Sequence, residues 1–177
     1  MGHRKHAHCG YCGHRFVEGQ PWPRRCRRCR RDSYLNPMPV VLLLLPVQRR
    51  QPSNGPANGQ GHGLLLIRRN IAPHVGRLAL PGGYIEIHET WQAAAARELW
   101  EEAGIRISDS TVREFRVRSA ESGLILIFGQ ASPIHEDDLP PFVANPEVSE
   151  RVIVHEANEL GFPLHSQAVQ DFFTASR

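Results

Sequence analysis

Lysine is almost absent from this 177-residue chain: Lys5 is the only one among 21 Lys and Arg residues. Arginine richness is therefore a property of the whole sequence, and a local arginine cluster carries less functional weight than it otherwise would. Long apolar runs are missing too. Val40 to Leu45 is far short of the ~18 residues of a transmembrane helix and suits a buried strand. The opening residues, MGHRKHAHCG, lack the apolar core of a secretory leader, so a cytoplasmic protein without a membrane anchor is expected. No internal repeat is visible, and no cysteine follows position 29.

Hydrophobic residues make up 41% of the chain, enough for one core with a small appendage. The net charge of +3 is unevenly spread. Residues 1–35 hold nine Lys/Arg against two Asp/Glu, and the remainder holds twelve against sixteen. The expected organisation is a basic unit over 1–35 and a main domain over 36–177, with Asn36-Pro37-Met38-Pro39 as the linker.

All four cysteines lie in the first unit, as Cys9-Gly-Tyr-Cys12 and Cys26-Arg-Arg-Cys29. Paired C-x2-C motifs suit a tetrahedral Cys₄ zinc site. So short a segment buries little, and the metal would supply much of its folding energy. Without a leader, disulfides are disfavoured. The pattern resembles a zinc ribbon, with Gly10 and Gly13 in tight knuckle turns. Arg24, Arg25, Arg27, Arg28, Arg30 and Arg31 surround the second knuckle. They suit either a solvated face or contacts to RNA or substrate phosphate, and the arginine bias favours the first.

Residues 83–105 read GYIEIHETWQAAAARELWEEAGI. The run Trp91 to Ala103 has no Gly or Pro, with Thr90 as an N-cap and Gly104 as the residue past the end, so it predicts a helix. Glu98, Glu101 and Glu102 fall on one side of it. Ala96, Leu99, Trp100 and Ala103 form another side, suited to packing on a sheet. Like charges at this spacing repel by a few tenths of a kcal/mol, which a structural helix has no reason to accept. A hard divalent cation accepts it readily: Mg²⁺ binds through a few carboxylates plus substrate phosphates.

These residues resemble a Nudix box, G-x5-E-x7-R-E-U-x-E-E-x-G-U with U aliphatic. Gly83, Glu89, Arg97, Glu98, Leu99, Glu101, Glu102, Gly104 and Ile105 fill all nine specified positions. The resemblance implies a Nudix α/β/α sandwich with a mixed sheet, preceded here by the small zinc ribbon. It also implies Mg²⁺- or Mn²⁺-dependent hydrolysis of a nucleoside diphosphate derivative. Glu98, Glu101 and Glu102 would hold the metal, with Gly83 through its carbonyl. Glu89 and Arg97 would form an ion pair that keeps the ligands in register. Glu98, Glu147 and Glu150 are the alternatives for the base. A homodimer follows by fold analogy.

A ribbon before such a domain resembles the NADH pyrophosphatase group. Residues 119–125, SAESGLI, lack that group's SQPWPFP-type motif. ADP-ribose, FAD, NADH, an ADP-sugar or a modified nucleoside triphosphate all remain as substrates. A different reading is a non-catalytic nucleotide-sensing or RNA-binding module, and the intact box argues against it.

Elsewhere, strands are expected at Val40–Val47, Gly63–Arg69, Thr111–Ser119, Leu124–Ala131 and Val148–Val154. Residues 48–63 and Pro133–Pro146 read as loops. Helices are expected at Glu156–Leu160 and His165–Ala175, the second packing Val169, Phe172 and Phe173. Arg68 and Arg69 close a strand, where they would hold either a phosphate or an ordinary ion pair.

Overall fold

The computed structural model describes residues 5–48 and 62–175. The loop expected at 48–63 lies almost wholly outside them. The chain divides into two compact units, Met1–Pro37 and Met38–Arg177.

The first unit is two similar knuckles. In each, the residue four past the first cysteine has a left-handed backbone: Gly13 (φ 69°) after Cys9 and Arg30 (φ 60°) after Cys26. The N–H of each donates to that cysteine's carbonyl at 2.9 Å. A bridge between His8 and Arg15 flanks the first knuckle. The second is flanked by the paired strands β1 (Arg24–Arg25) and β2 (Asp32–Ser33). Among the described residues its buried core is Cys9, Phe16 and Cys26, with Cys12 and Cys29 partly buried against it.

The second unit runs β3 (Met38–Leu44), β4 (Pro46–Gln48), β5 (Gly63–Arg69), β6 (Leu78–Ala79) and β7 (Gly82–Tyr84), then α1 (Trp91–Ala103). It continues with β8 (Arg113–Ala120), β9 (Leu124–Gln130), β10 (Ile134–His135), β11 (Val148–Val154) and α2 (Pro163–Ala175). One sheet has the order β10-β4-β5-β11 with β6 also on β5, and the other the order β7-β3-β9-β8. The pairs β3–β9 and β4–β10 are parallel and the rest antiparallel, so both sheets are mixed.

The unbroken apolar run of β3 is explained by burial on both faces. Val41 and Leu43 point into a cluster with Ala94, Ala95, Leu99 and Ala103 of α1. Val40, Leu42 and Leu44 point into another with Ala168, Val169 and Phe172 of α2, and Phe173 packs at its margin. A helix on each side makes the expected α/β/α sandwich.

Six expectations need correction. The run Val40–Val47 is two strands in different sheets; the chain crosses at Leu45, and Pro46, which has no N–H to donate, opens the second. No helix forms at Glu156–Leu160, where Gly161 and Pro163 follow too closely, and α2 starts two residues before His165 with Pro163 at its first position. Trp100 is not a packing residue of α1: it is 45% exposed, and the Arg106 guanidinium lies 4.2 Å from its ring centroid. The buried stripe sits about one position round, on Ala94, Ala95, Leu99, Glu102 and Ala103. Thr111 belongs to a short 3₁₀ turn (Asp109–Thr111), so the strand begins at Arg113, and the loop at 133–146 contributes β10.

Candidate active site and zinc centre

The box helix is fixed at both ends as its sequence predicts. Thr90 Oγ1 accepts the Ala93 N–H at 3.1 Å. Gly104 takes φ 71° and donates its N–H to the Trp100 carbonyl. Between these caps α1 lies against β7, so the two glycines of that strand face its carboxylates. The Gly82 N–H donates to Glu102 Oε2 at 2.8 Å. Gly82 has φ 148°, and a Cβ there would overlap the Val41 carbonyl oxygen. A Cβ on Gly83 would overlap the Glu98 carboxylate. Close approach to β3 therefore requires glycine at position 82, and close approach to the helix requires it at 83.

Arg97 is the hub. Its guanidinium donates to both Glu89 oxygens (3.2 and 2.8 Å), to Glu98 Oε1 (2.8 Å), to Glu101 Oε2 (3.1 Å) and to the Tyr84 carbonyl (3.0 Å). Glu89 Oε1 also accepts the Glu86 N–H at 2.7 Å, which pins the turn before the helix. Arg97 beside it holds the Glu89 carboxyl below its usual range, against the effect of burial. The Glu89–Arg97 pair thus braces the loop against α1.

Glu98 and Glu102 are under the opposite stress. Burial pushes Glu98 up, and the charges of Glu101 and Glu147 add to this against the pull of Arg97. Glu102, only 6% exposed, is pushed up to about 8 by burial, with Glu98 and Glu147 adding to it; the Gly82 N–H and the charge of Arg69 oppose. Excess negative charge in a partly dry site fits a divalent cation. Arg97 holds Glu98 and Glu101, and Gly82 holds Glu102. Among the described residues, no three carboxylate or imidazole ligand atoms lie within 4.8 Å of one another. Direct ligation by all three box carboxylates would therefore need their side chains to leave the bonds that hold them here.

The strand-end residues divide. Arg68 Nε pairs with Glu150 Oε2 at 2.6 Å, and its Nη1 donates to the Gly76 carbonyl. Arg69 donates to the Pro73 carbonyl at 2.8 Å and lies over the Phe162 ring, 5.3 Å from the centroid, with its charge reaching Glu102. Sequence reasoning gave His165 no role. It is 7% exposed, tilted against Phe162 at 4.7 Å, and its Nδ1 accepts the Leu80 N–H at 3.3 Å. Its place in the first turn of α2 was the available signal.

In the first unit, the sulfurs of Cys9 and Cys29 are 3.7 Å apart and those of Cys12 and Cys26 3.6 Å apart. All four lie within 4.8 Å of one another, and none is in a disulfide. A tetrahedral site with Zn–S bonds of about 2.3 Å puts its sulfurs about 3.8 Å apart, so the four thiols fit zinc. The Cys29 N–H pulls the Cys26 thiol below its ordinary range; burial opposes this and the Arg28 N–H adds to it. That favours the thiolate, the form that ligates.

The family model described as NUDIX domain matches residues 56–172. The chain belongs to the Nudix family. Among curated relatives, the NAD-capped RNA hydrolase NudC of Salmonella heidelberg (strain SL476) is 30% identical over 108 residues, which is 60% of this chain and 37% of that protein. The NudC of Escherichia coli (strain K12 / DH10B) is 29% identical over the same extent. The matched part thus spans little more than a third of these relatives. Among solved structures, a NUDIX hydrolase from Nitrosomonas europaea aligns with TM-score 0.63 at 26% identity, covering 94% of this chain and 90% of that one. RenU, a Nudix hydrolase from M. smegmatis, aligns with TM-score 0.53 at 24% identity over 81% of this chain and 88% of that one, a likeness of fold. Among the described residues no helix is long and apolar enough to cross a membrane.

Proposed function

We propose that residues 36–177 form a Mg²⁺- or Mn²⁺-dependent hydrolase that cleaves the pyrophosphate linkage of a nucleoside diphosphate derivative, and that residues 1–35 form a zinc ribbon. The observation that carries this reading is the seating of Glu98 and Glu102 on Gly83 and Gly82. It seats two carboxylates with raised pKa values directly against the glycine backbone that opens the box. The Nudix hydrolases among the relatives and neighbours support the reaction class.

In this reading Glu98, Glu101 and Glu102, with the Gly83 carbonyl, hold the cation. When bound, the metal neutralises phosphate charge and lowers the pKa of a coordinated water. Glu89 and Arg97 brace the ligands. A carboxylate takes the proton from the attacking water. Glu98 and Glu147 are the alternatives, since Glu150 is engaged by Arg68. Arg69 is better placed than Arg68 for a substrate phosphate, because its charge already reaches Glu102.

The substrate class includes ADP-ribose, FAD and NADH. The test is a panel of such compounds incubated with Mg²⁺, with products identified by mass. Cleavage between the two phosphates of at least one member is the expected result.

The exposed arginines of the ribbon favour a second reading, in which that unit binds RNA. Tyr11 is 60% exposed with the Arg31 guanidinium 4.9 Å from its ring centroid, a pairing on which a base can stack. RNA affinity that falls steeply with salt supports this reading, and salt-independent or absent binding removes it. A homodimer is part of the proposal by fold analogy, and sedimentation of the full chain tests it.

A further inference from the structure

Two side chains tie the acidic, proline-rich segment before β11 to the box helix, Arg151 and Asn145, and Asn145 is the one beside Glu147. Asn145 Oδ1 accepts the N–H groups of Glu147 (2.9 Å) and Val148 (2.8 Å). Its Nδ2 donates to the Glu101 carbonyl at 3.0 Å. That carbonyl is among the last four of α1, which the helix itself cannot satisfy. Gly104 meets the Trp100 carbonyl, and Arg151 meets that of Ala103 while also holding the Pro140 carbonyl. On the other side, the Glu147 carbonyl accepts the Asn70 N–H at 2.7 Å, just past the end of β5. The Glu147 backbone is therefore held from two directions.

The consequence lies at the metal site. The Glu147 charge bears on both Glu98 and Glu102. Glu150, three residues on, is turned to Arg68 instead. A turn needs only the Asn145 oxygen; the amide donor is what couples that turn to the helix carrying the ligands.

We propose that Asn145 is a positioning residue that fixes Glu147 in register with Glu98 and Glu102, so that the acidic site is built from α1 and the lead-in to β11 together. This rests on the metal-dependent reading above. Glu147 joins the carboxylate set, and Asn145 acts on the cation and the attacking water only through it. The role differs from that of Arg97, which braces ligands within the box.

The test is a cycle of full-length variants: Asn145→Ala, Glu147→Gln and the double variant. Each is read by Mn²⁺ binding followed by electron paramagnetic resonance, and by kcat and KM separately. Loss of a group that orients ligands lowers metal affinity by about 10–100-fold. The expected result is weaker Mn²⁺ binding and lower kcat in both single variants, KM little changed, and no further loss in the double variant. Unchanged Mn²⁺ binding in Asn145→Ala, or losses that add in the double variant, overturns the proposal. Should Asn145→Ala not fold, Asn145→Asp keeps the oxygen that makes the turn and lacks the amide donor, and it enters the same cycle. Wild-type protein that binds no Mn²⁺ contradicts the underlying reading instead. Wild-type binding that is lost in Glu102→Gln but kept in Asn145→Ala contradicts this inference alone.

Discussion

Gly83 lies directly beneath the Glu98 carboxylate, so closely that a single methyl group at the glycine would occupy its place. Its neighbour Gly82 is crowded by backbone, with the Val41 carbonyl and the Leu42 Cα in the position a Cβ would take. The two glycines therefore make different predictions. In Gly83→Ala the end of a side chain yields, so activity falls sharply while the melting temperature changes little. In Gly82→Ala the obstacle is main chain at a left-handed φ, and strain of about 1–3 kcal/mol or more lowers stability as well. Thermal unfolding alongside turnover separates them; equal melting losses contradict the assignment.

Glu102→Gln keeps the shape of the side chain and an oxygen for the Gly82 N–H. It removes a charge from a site where burial disfavours that charge. The metal-free variant is expected to melt no lower than the wild type. Stabilisation by added Mg²⁺ or Mn²⁺, which follows from binding to the folded state alone, should disappear together with turnover. Metal-induced stabilisation that survives the substitution removes Glu102 from the ligand set.

His165 sets a pH dependence of stability. Its pKa is pushed down to about 3, chiefly by burial and then by the charge of Arg69. Between that value and its ordinary pKa of about 6.5, the unfolded chain binds a proton that the folded chain refuses. Its contribution is complete above pH 6.5 and falls as pH drops, by up to about 1.4 kcal/mol per pH unit. In denaturant titrations from pH 7 to 5, wild type should lose stability faster than His165→Gln, which does not titrate. Parallel curves contradict the buried neutral histidine.

The zinc assignment is open to direct analysis. The full chain should carry about one zinc, and replacing Cys26 by serine should remove it. Among the described residues the first unit buries just Cys9, Phe16 and Cys26 fully, so it is expected to unfold on chelation. Trypsin should then cut among Arg24, Arg25, Arg27, Arg28, Arg30 and Arg31 within minutes, while residues 63–175 stay protected. Equal resistance with and without chelator contradicts a structural metal.

Much of this architecture was legible because it rests on short-range rules. The limits of α1 follow from Thr90 and Gly104, and the strands Gly63–Arg69 and Val148–Val154 follow from β-branched and aliphatic runs with polar flanks. The box positions follow from spacing alone. What was hidden depends on tertiary partners. Leu45 looks like its neighbours in sequence, yet it marks a crossing between sheets. Trp100 reads as core but sits at the edge of the stripe, where Arg106 covers it. Helical periodicity places Glu102 with Glu98 and Glu101, but not that it is buried and held by Gly82 while Glu101 stays half exposed. Asn145 in a proline-rich loop carries no signal until its contacts to Glu101 and Glu147 are seen.

The most direct test of the account is Mg²⁺-dependent hydrolysis of the nucleoside diphosphate panel by wild type and Glu102→Gln, with products weighed by mass spectrometry. The account predicts that wild type splits the linkage between the two phosphates of at least one compound, that chelation stops it, and that Glu102→Gln is inactive though folded. Cleavage that persists in both the chelated enzyme and the variant, or no cleavage of any member by metal-loaded wild type, would contradict it.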